Sequence, residues 1–244
     1  MRCFKAVVEY DGTEYYGFQI QKNVPTIQGE LERVISQIMG HSVEVVGSGR
    51  TDAGVHASGQ VISFKANGTI PVENLCCAAN ALLPSSIVLL SACEADENFH
   101  ARYSAKSRIY RYTILNRQMP SALLSRYTWH IKKHLDENAM NRATKYLIGK
   151  HDFKCFATKP EKDTSTEREV FESSVSRKEE FVIFEIKANA FLRAMVRSIV
   201  GTLVEVGLGE REEDDIVQIM ESSDRSRAGK TAPPQGLNLL RVEY

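Results

Sequence analysis

The order in which hydrophobic period changes along the first hundred residues limits the fold more than any other feature of this chain. "FKAVVEY" alternates like a half-buried strand, whereas "IQGELERVISQIM" sets Ile27, Leu31, Val34, Ile35, Ile38 and Met39 at helical spacing. "SVEVV" and "QVISFK" again read as strands. "VENLCCAANALL" reads as a helix stopped at Pro84, and "IVLLSACEA" as a strand. The resulting order is β-α-β-β-α-β, the ferredoxin-like plan.

The remainder repeats that order with longer connections. "SRIYRYTIL" is a strand and "ENAMNRATKYLIG" a helix; "EVFESSVSRK" and "EFVIFEIKAN" pair as a hairpin. "FLRAMVRSIVGTLVEVG" is a strongly apolar helix, "EDDIVQIMES" a shorter acidic one, and "GLNLLRVEY" a closing strand. The expectation is an α+β protein of two ferredoxin-like halves, residues 1–100 and 101–244. They would join into one mainly antiparallel sheet with helices packed on it and a central catalytic cleft. The stretch from Thr158 to Glu169 has almost no apolar residue and reads as a mobile loop.

With 244 residues, 43% of them hydrophobic and 25% charged, the chain has ample material for such a core. No apolar run approaches the length of a membrane span, and "MRCFKAVVEY" is too short and too alternating for a signal peptide. Cys3, Cys76, Cys77, Cys93 and Cys155 are odd in number and contain no CxxC pair, so reduced thiols in a cytoplasmic protein are expected. Net charge is zero, but it is unevenly spread: residues 100–160 carry 13 Lys and Arg against 3 Asp and Glu. Tyr103, Tyr110, Tyr112 and Trp129 lie among those cations, which favours a nucleic-acid partner over a simple anion. Lys132, Lys133, Arg142 and Lys145 are expected to contribute to that footprint.

Between two of the strands lies "GSGRTDAGVHASGQ", Gly47 to Gln60. It has no GK[ST], and a strand rather than a helix follows it, so neither a P-loop nor a dinucleotide fingerprint fits. Its one arginine and one aspartate stand among small residues, so both could approach a ligand closely. Asp52 is a candidate nucleophile or base and Arg50 a candidate anion or base contact; a plain tight turn is the alternative. His56 is placed to hold the loop in shape. Arg193 and Arg197 are four apart on an apolar helix and so share a face; an arginine buried there needs an acid, which points to Asp52. His130 and His134 lack an HExxH context, and no metal site is expected.

"GSGRTDAGVHASGQV" resembles the active-site motif of the TruA family of tRNA pseudouridine synthases. "YDGTEYYGFQIQ", "NALLP", "FHARYSAKSRIYRY", "HDFKCF", "FLRAMVRSIVG" and "APPQGLNLLRVEY" resemble that family's segments in the same order, over nearly the whole chain. Ser48 stands where the family more often carries alanine. The resemblance implies isomerisation of uridine to pseudouridine in the tRNA anticodon stem-loop, at positions 38–40, by a homodimer without cofactor or metal. It also implies roles: Asp52 as catalytic carboxylate, and Arg50 as the residue that assists flipping of the uridine and fills the vacated space. Tyr110 stacks on the flipped base and acts in the final deprotonation, Arg197 pairs with the aspartate, and Leu237 walls the uracil pocket. Whether the carboxylate adds to the base, attacks C1′ or removes a sugar proton towards a glycal stays open at this point. Two other readings are a related synthase acting on other uridines and a non-catalytic RNA-binding module. Against the second stand Asp52, Arg50, Tyr110 and Arg197 together, and the missing RNP aromatic signature.

Overall fold

Helix α1 (Ile27–Met39) forms where the apolar stripe predicts it, and local chemistry fixes both its ends. The Thr26 hydroxyl accepts from the Gly29 N–H at the start, and Gly40 takes a left-handed conformation (φ 73°) at the end. Ile27, Leu31, Val34 and Ile35 are buried along one face. The computed structural model describes residues 1–158 and 165–244 and divides them into two compact units. One is Met1–Lys106 with Asn238–Tyr244, the other Ser107–Leu237.

In the first unit β1 (Arg2–Tyr10) lies between β3 (His56–Ala66) and β4 (Ile87–Ala95), antiparallel to both. β2 (Val45–Gly47) pairs antiparallel with β3, completing the order β4-β1-β3-β2 of a ferredoxin-like sheet. Helix α2 (Val72–Asn80) precedes β4. Phe4 and Phe64, opposite each other on β1 and β3, stack at 5.0 Å in the core. The last strand, β10 (Leu237–Glu243), runs parallel to β3, with Asn238 opposite His56 and Leu239 opposite Ala57. Since β1 occupies one edge of β3, β2 and β10 share the other: β2 holds its far end, at Ile62–Phe64, and β10 its beginning.

This arrangement corrects the reading of residues 56–60 as loop: they are already strand. Their glycine is a packing requirement rather than a turn signal. A Cβ on Gly59 would lie 2.3 Å from the Leu240 carbonyl oxygen of β10. "SVEVV" shrinks in turn, since only Val45, Val46 and the following Gly47 pair with β3.

In the second unit β5 (Ser107–Asn116) pairs with β9 (Phe181–Ala188), β9 with β8 (Glu167–Lys178) and β8 with β7 (Gly149–Asp152), all antiparallel. β6 (Trp129–Ile131) runs parallel beside β5. Helices α3 (Glu137–Thr144), α4 (Met195–Gly207) and α5 (Asp215–Ser222) complete it. Ile199, Leu203, Met140, Phe153, Phe156 and Phe184 are buried in its core. Half of the expected loop at 158–169, residues 159–164, lies outside the described residues; its last three residues are strand. No described helix is long and apolar enough to cross a membrane.

α4 begins later than its apolar run. Ala194 sits in the left-handed region (φ 60°) and the helix starts at Met195, so Arg193 precedes it. The helical face assigned to Arg193 and Arg197 together therefore does not exist; only Arg197 is on the helix. His130 lies on β6 and its Nε2 donates to the Arg117 carbonyl at 2.8 Å, which makes it a structural group.

Candidate active site

The loop from Ser48 to Val55 leaves the sheet where β2 ends and returns where β10 joins β3. Two sets of hydrogen bonds give it one shape. Its near side hangs on Gln60, which is fully buried. The Gln60 amide oxygen accepts from the Ser48 hydroxyl at 2.6 Å, and its nitrogen donates to the Gly49 carbonyl at 3.0 Å. The same nitrogen is 3.5 Å from the Tyr10 hydroxyl, which is 2.8 Å from the Thr51 hydroxyl. Ser48 thus has a use here as a hydrogen-bonding loop residue. Burial holds the Tyr10 hydroxyl up to about 12, with the bonds to Thr51 and Gln60 pulling against it. It stays protonated and available as a donor throughout the neutral range.

The far side of the loop is braced by residues 11–18. The Phe18 N–H donates to the Thr51 carbonyl and the Gly54 N–H to the Tyr15 carbonyl. Gly17 permits this approach: its φ is +97°, and a Cβ there would stand 2.8 Å from the Thr51 oxygen. Gly12 is under a tighter constraint still, with the Val55 oxygen 2.0 Å from the place of a Cβ. Gly12 also donates its N–H to His56 Nδ1 at 3.1 Å, and the Asp11 carboxylate lies 3.2 Å from the same nitrogen. The bonds of His56 Nδ1 are thus to the segment that braces the loop.

Held between these braces, Asp52 is half-buried and Arg50 exposed. The Asp52 carbonyl accepts from the Val55 N–H, a local turn that lets two neighbouring charged side chains leave a fixed backbone. A half-buried carboxylate on a loop hydrogen-bonded on both sides is suited to proton transfer or nucleophilic attack, because its backbone is already positioned.

The other sequence-derived residues belong to the second unit. Tyr110, on β5 opposite Ile186, is buried, and the Phe191 ring meets it edge-on at 5.0 Å. Arg197, near the start of α4, donates from Nε to the Ala232 carbonyl at 2.8 Å, while the Ala232 N–H returns a bond to the Arg197 carbonyl. Tyr112 donates to the Pro233 carbonyl at 2.7 Å; burial pushes its hydroxyl far up, and the Arg197 charge partly opposes that rise. Leu237 is buried at the first position of β10. Sequence reasoning missed Tyr10, Thr51 and Gln60, whose partnership brings together residues as far as fifty positions apart.

The basic middle segment is less available than its composition suggests. Arg142 makes a bidentate pair with Glu213, and Lys133 is 3.9 Å from Glu210. Arg111, Arg117 and Lys150 face Glu185, Glu180 and Glu167. Acids from elsewhere in the chain neutralise part of the excess. Among the described residues no group of three or more His, Cys, Asp or Glu is arranged to hold a metal ion.

The chain that carries this loop is a pseudouridine synthase, an isomerase of RNA uridine. A family profile described as tRNA pseudouridine synthase matches residues 6–104 and 143–244. Over all 244 residues, and the full length of both chains, this chain is 48% identical to tRNA pseudouridine synthase A of Thermoanaerobacter sp. (strain X514). It is 47% identical, also over the full length of both, to the protein of that name from Acetivibrio thermocellus. The chain belongs to the TruA family of tRNA pseudouridine synthases. A solved archaeal Nop10–Cbf5 complex of the box H/ACA particle is a remote neighbour, at 13% identity and a TM-score of 0.37 over 83% of this chain and 44% of that one. It carries no argument here.

Proposed function

We propose that this enzyme isomerises uridines at positions 38–40 of the tRNA anticodon stem-loop, with Asp52 as the reacting carboxylate. The observation that carries the reading is the bracing of the 48–55 loop, which fixes the backbone on both sides of Asp52 while leaving Arg50 exposed beside it. The reaction is redox-neutral: the N1–C1′ bond breaks, a C5–C1′ bond forms, C5 loses a proton and N1 gains one. It therefore needs a positioned acid–base or nucleophilic group rather than an electron carrier. The uridine must first leave its stack, at a cost of a few kcal/mol. Arg50, exposed on the same loop, is the residue to enter the space left behind.

Arg197 is the proposed counter-charge of Asp52, Tyr110 the ring that receives the uracil, and Leu237 an apolar wall. The Arg197 proposal has a thermodynamic test. Arg197→Met should destabilise the wild-type protein more than it destabilises Asp52→Asn, because only the former leaves a carboxylate without its cation. Equal losses in both backgrounds would remove Arg197 from this role. A cytoplasmic homodimer is the proposed working form, and light scattering of the purified chain reads the subunit number directly.

The substrate assignment is tested by mapping pseudouridine in tRNA from cells lacking this protein. Loss at positions 38–40, restored by the wild-type gene, is the expected outcome. Loss at other uridines instead would make this a synthase of different site choice.

A further inference from the structure

We infer that the turn at residues 100–104 is a built stacking platform on which an unpaired base of the tRNA substrate rests, with Tyr103 as its surface. The inference rests on the tRNA activity of the family and adds a contact outside the loop that carries Asp52. Tyr103 is 76% exposed. Single exposed aromatics are ordinary, but this one is held still. Its ring lies 4.3 Å from the His100 ring, inclined by 31°, and the Arg102 guanidinium is 5.5 Å from its centre.

The turn beneath it is hydrogen-bonded throughout. The Arg102 and Tyr103 N–H groups both donate to His100 Nδ1, at 3.2 and 3.3 Å, which places the ring proton on Nε2. The Ser104 N–H donates to the His100 carbonyl, and the His100 N–H to the Ser104 hydroxyl. Fully buried Ala101 anchors the turn to the sheet: its N–H donates to the Ser63 hydroxyl of β3, and its carbonyl accepts from the Tyr244 hydroxyl. A side chain ordered before binding loses little entropy when a ligand arrives. All this bracing supports a residue whose own ring faces solvent, and the fold gains almost no burial from it.

The chemistry around the ring selects its partner. Arg102 and Lys106 are exposed on the same short segment. An exposed aromatic ring with a cation over it and another on the same segment fits an unpaired nucleotide, the base stacking and the phosphate meeting a cation. A protein partner would want apolar neighbours around the tyrosine, and the adjoining exposed residues are polar or charged instead.

The test is the dissociation constant of an unmodified tRNA transcript, measured over a range of salt for wild type, Tyr103→Ala and Tyr103→Phe, each checked by thermal melting. Tyr103→Ala should weaken binding by roughly 5- to 100-fold, with the salt slope of wild type, because stacking releases no counterions. Tyr103→Phe keeps the ring face and should stay within about twofold of wild type. Undiminished binding by the alanine variant would overturn the platform, and is also what a protein-binding role predicts. Equal losses for alanine and phenylalanine would overturn it too, by assigning the contact to the hydroxyl. Failure of the wild type itself to bind tRNA would instead bring down the substrate reading, so the two failures are distinguishable.

Discussion

The side chains nearest the proposed reaction stand on a loop that buried side chains hold. Tyr10, Thr51 and Gln60 act on Asp52 through the loop backbone, and the Tyr10 hydroxyl is their junction. Thr51→Val removes a hydroxyl with little change in shape, whereas Thr51→Ser retains it. The valine variant should lose about 1–3 kcal/mol of stability through an unsatisfied buried partner and isomerise more slowly at unchanged KM, with serine close to wild type. Denaturant midpoints and single-turnover rates check both. A second prediction concerns alkaline pH. The raised Tyr10 value means the folded state holds its proton where the unfolded chain has lost it. Its contribution is therefore complete below pH 10 and falls away as pH rises from about 10 to about 12. Tyr10→Phe should make the alkaline decline in the urea midpoint shallower, though not abolish it, since buried Cys155 is also raised, to about 12.

Among the elements, α4 shows how a helix positions one residue of the proposed site. Its Gly201 lies against the segment that returns at 228–232, where a Cβ would stand 1.7 Å from the Lys230 carbonyl oxygen. Around that contact Gly229 donates to the Thr202 hydroxyl, and Ala232 exchanges two bonds with Arg197. Gly201→Ala must separate the two backbones. It should cost at least the upper end of the ~1–3 kcal/mol typical of overpacking and reduce activity, read by thermal melting beside turnover. The start of this helix was illegible because "FLRA" continues the apolar run of the helix it precedes, and only the left-handed Ala194 marks the boundary. By contrast α1 could be read to the residue, since Thr26 and Gly40 mark its ends chemically. β6 and β7, of three and four residues, are too short to show alternation. The motif around Asp52 was legible because small residues isolate its charges. Its bracing was not, because a buried tyrosine and a buried glutamine look like any other strand residues until the strands are paired.

At the scale of the whole molecule, a chain of zero net charge binds a polyanion through whatever cations its own acids leave unpaired. The composition of residues 100–160 overstates this resource, as the Arg142–Glu213 pair shows. Lys132 and Lys145 are exposed and make no ion pair among the described residues. Each, changed to Gln, should reduce the salt dependence of tRNA binding by about one counterion, while Arg142→Gln should reduce it by less. A larger effect from Arg142 would show that Glu213 releases it when RNA arrives. The central claim, however, is that one carboxylate performs the isomerisation while affinity is spread over many contacts. Its most direct test is Asp52→Asn, assayed in parallel for pseudouridine formation and tRNA binding. The expected result is no detectable isomerisation with a dissociation constant within several-fold of wild type. Substantial turnover by the purified variant would contradict it.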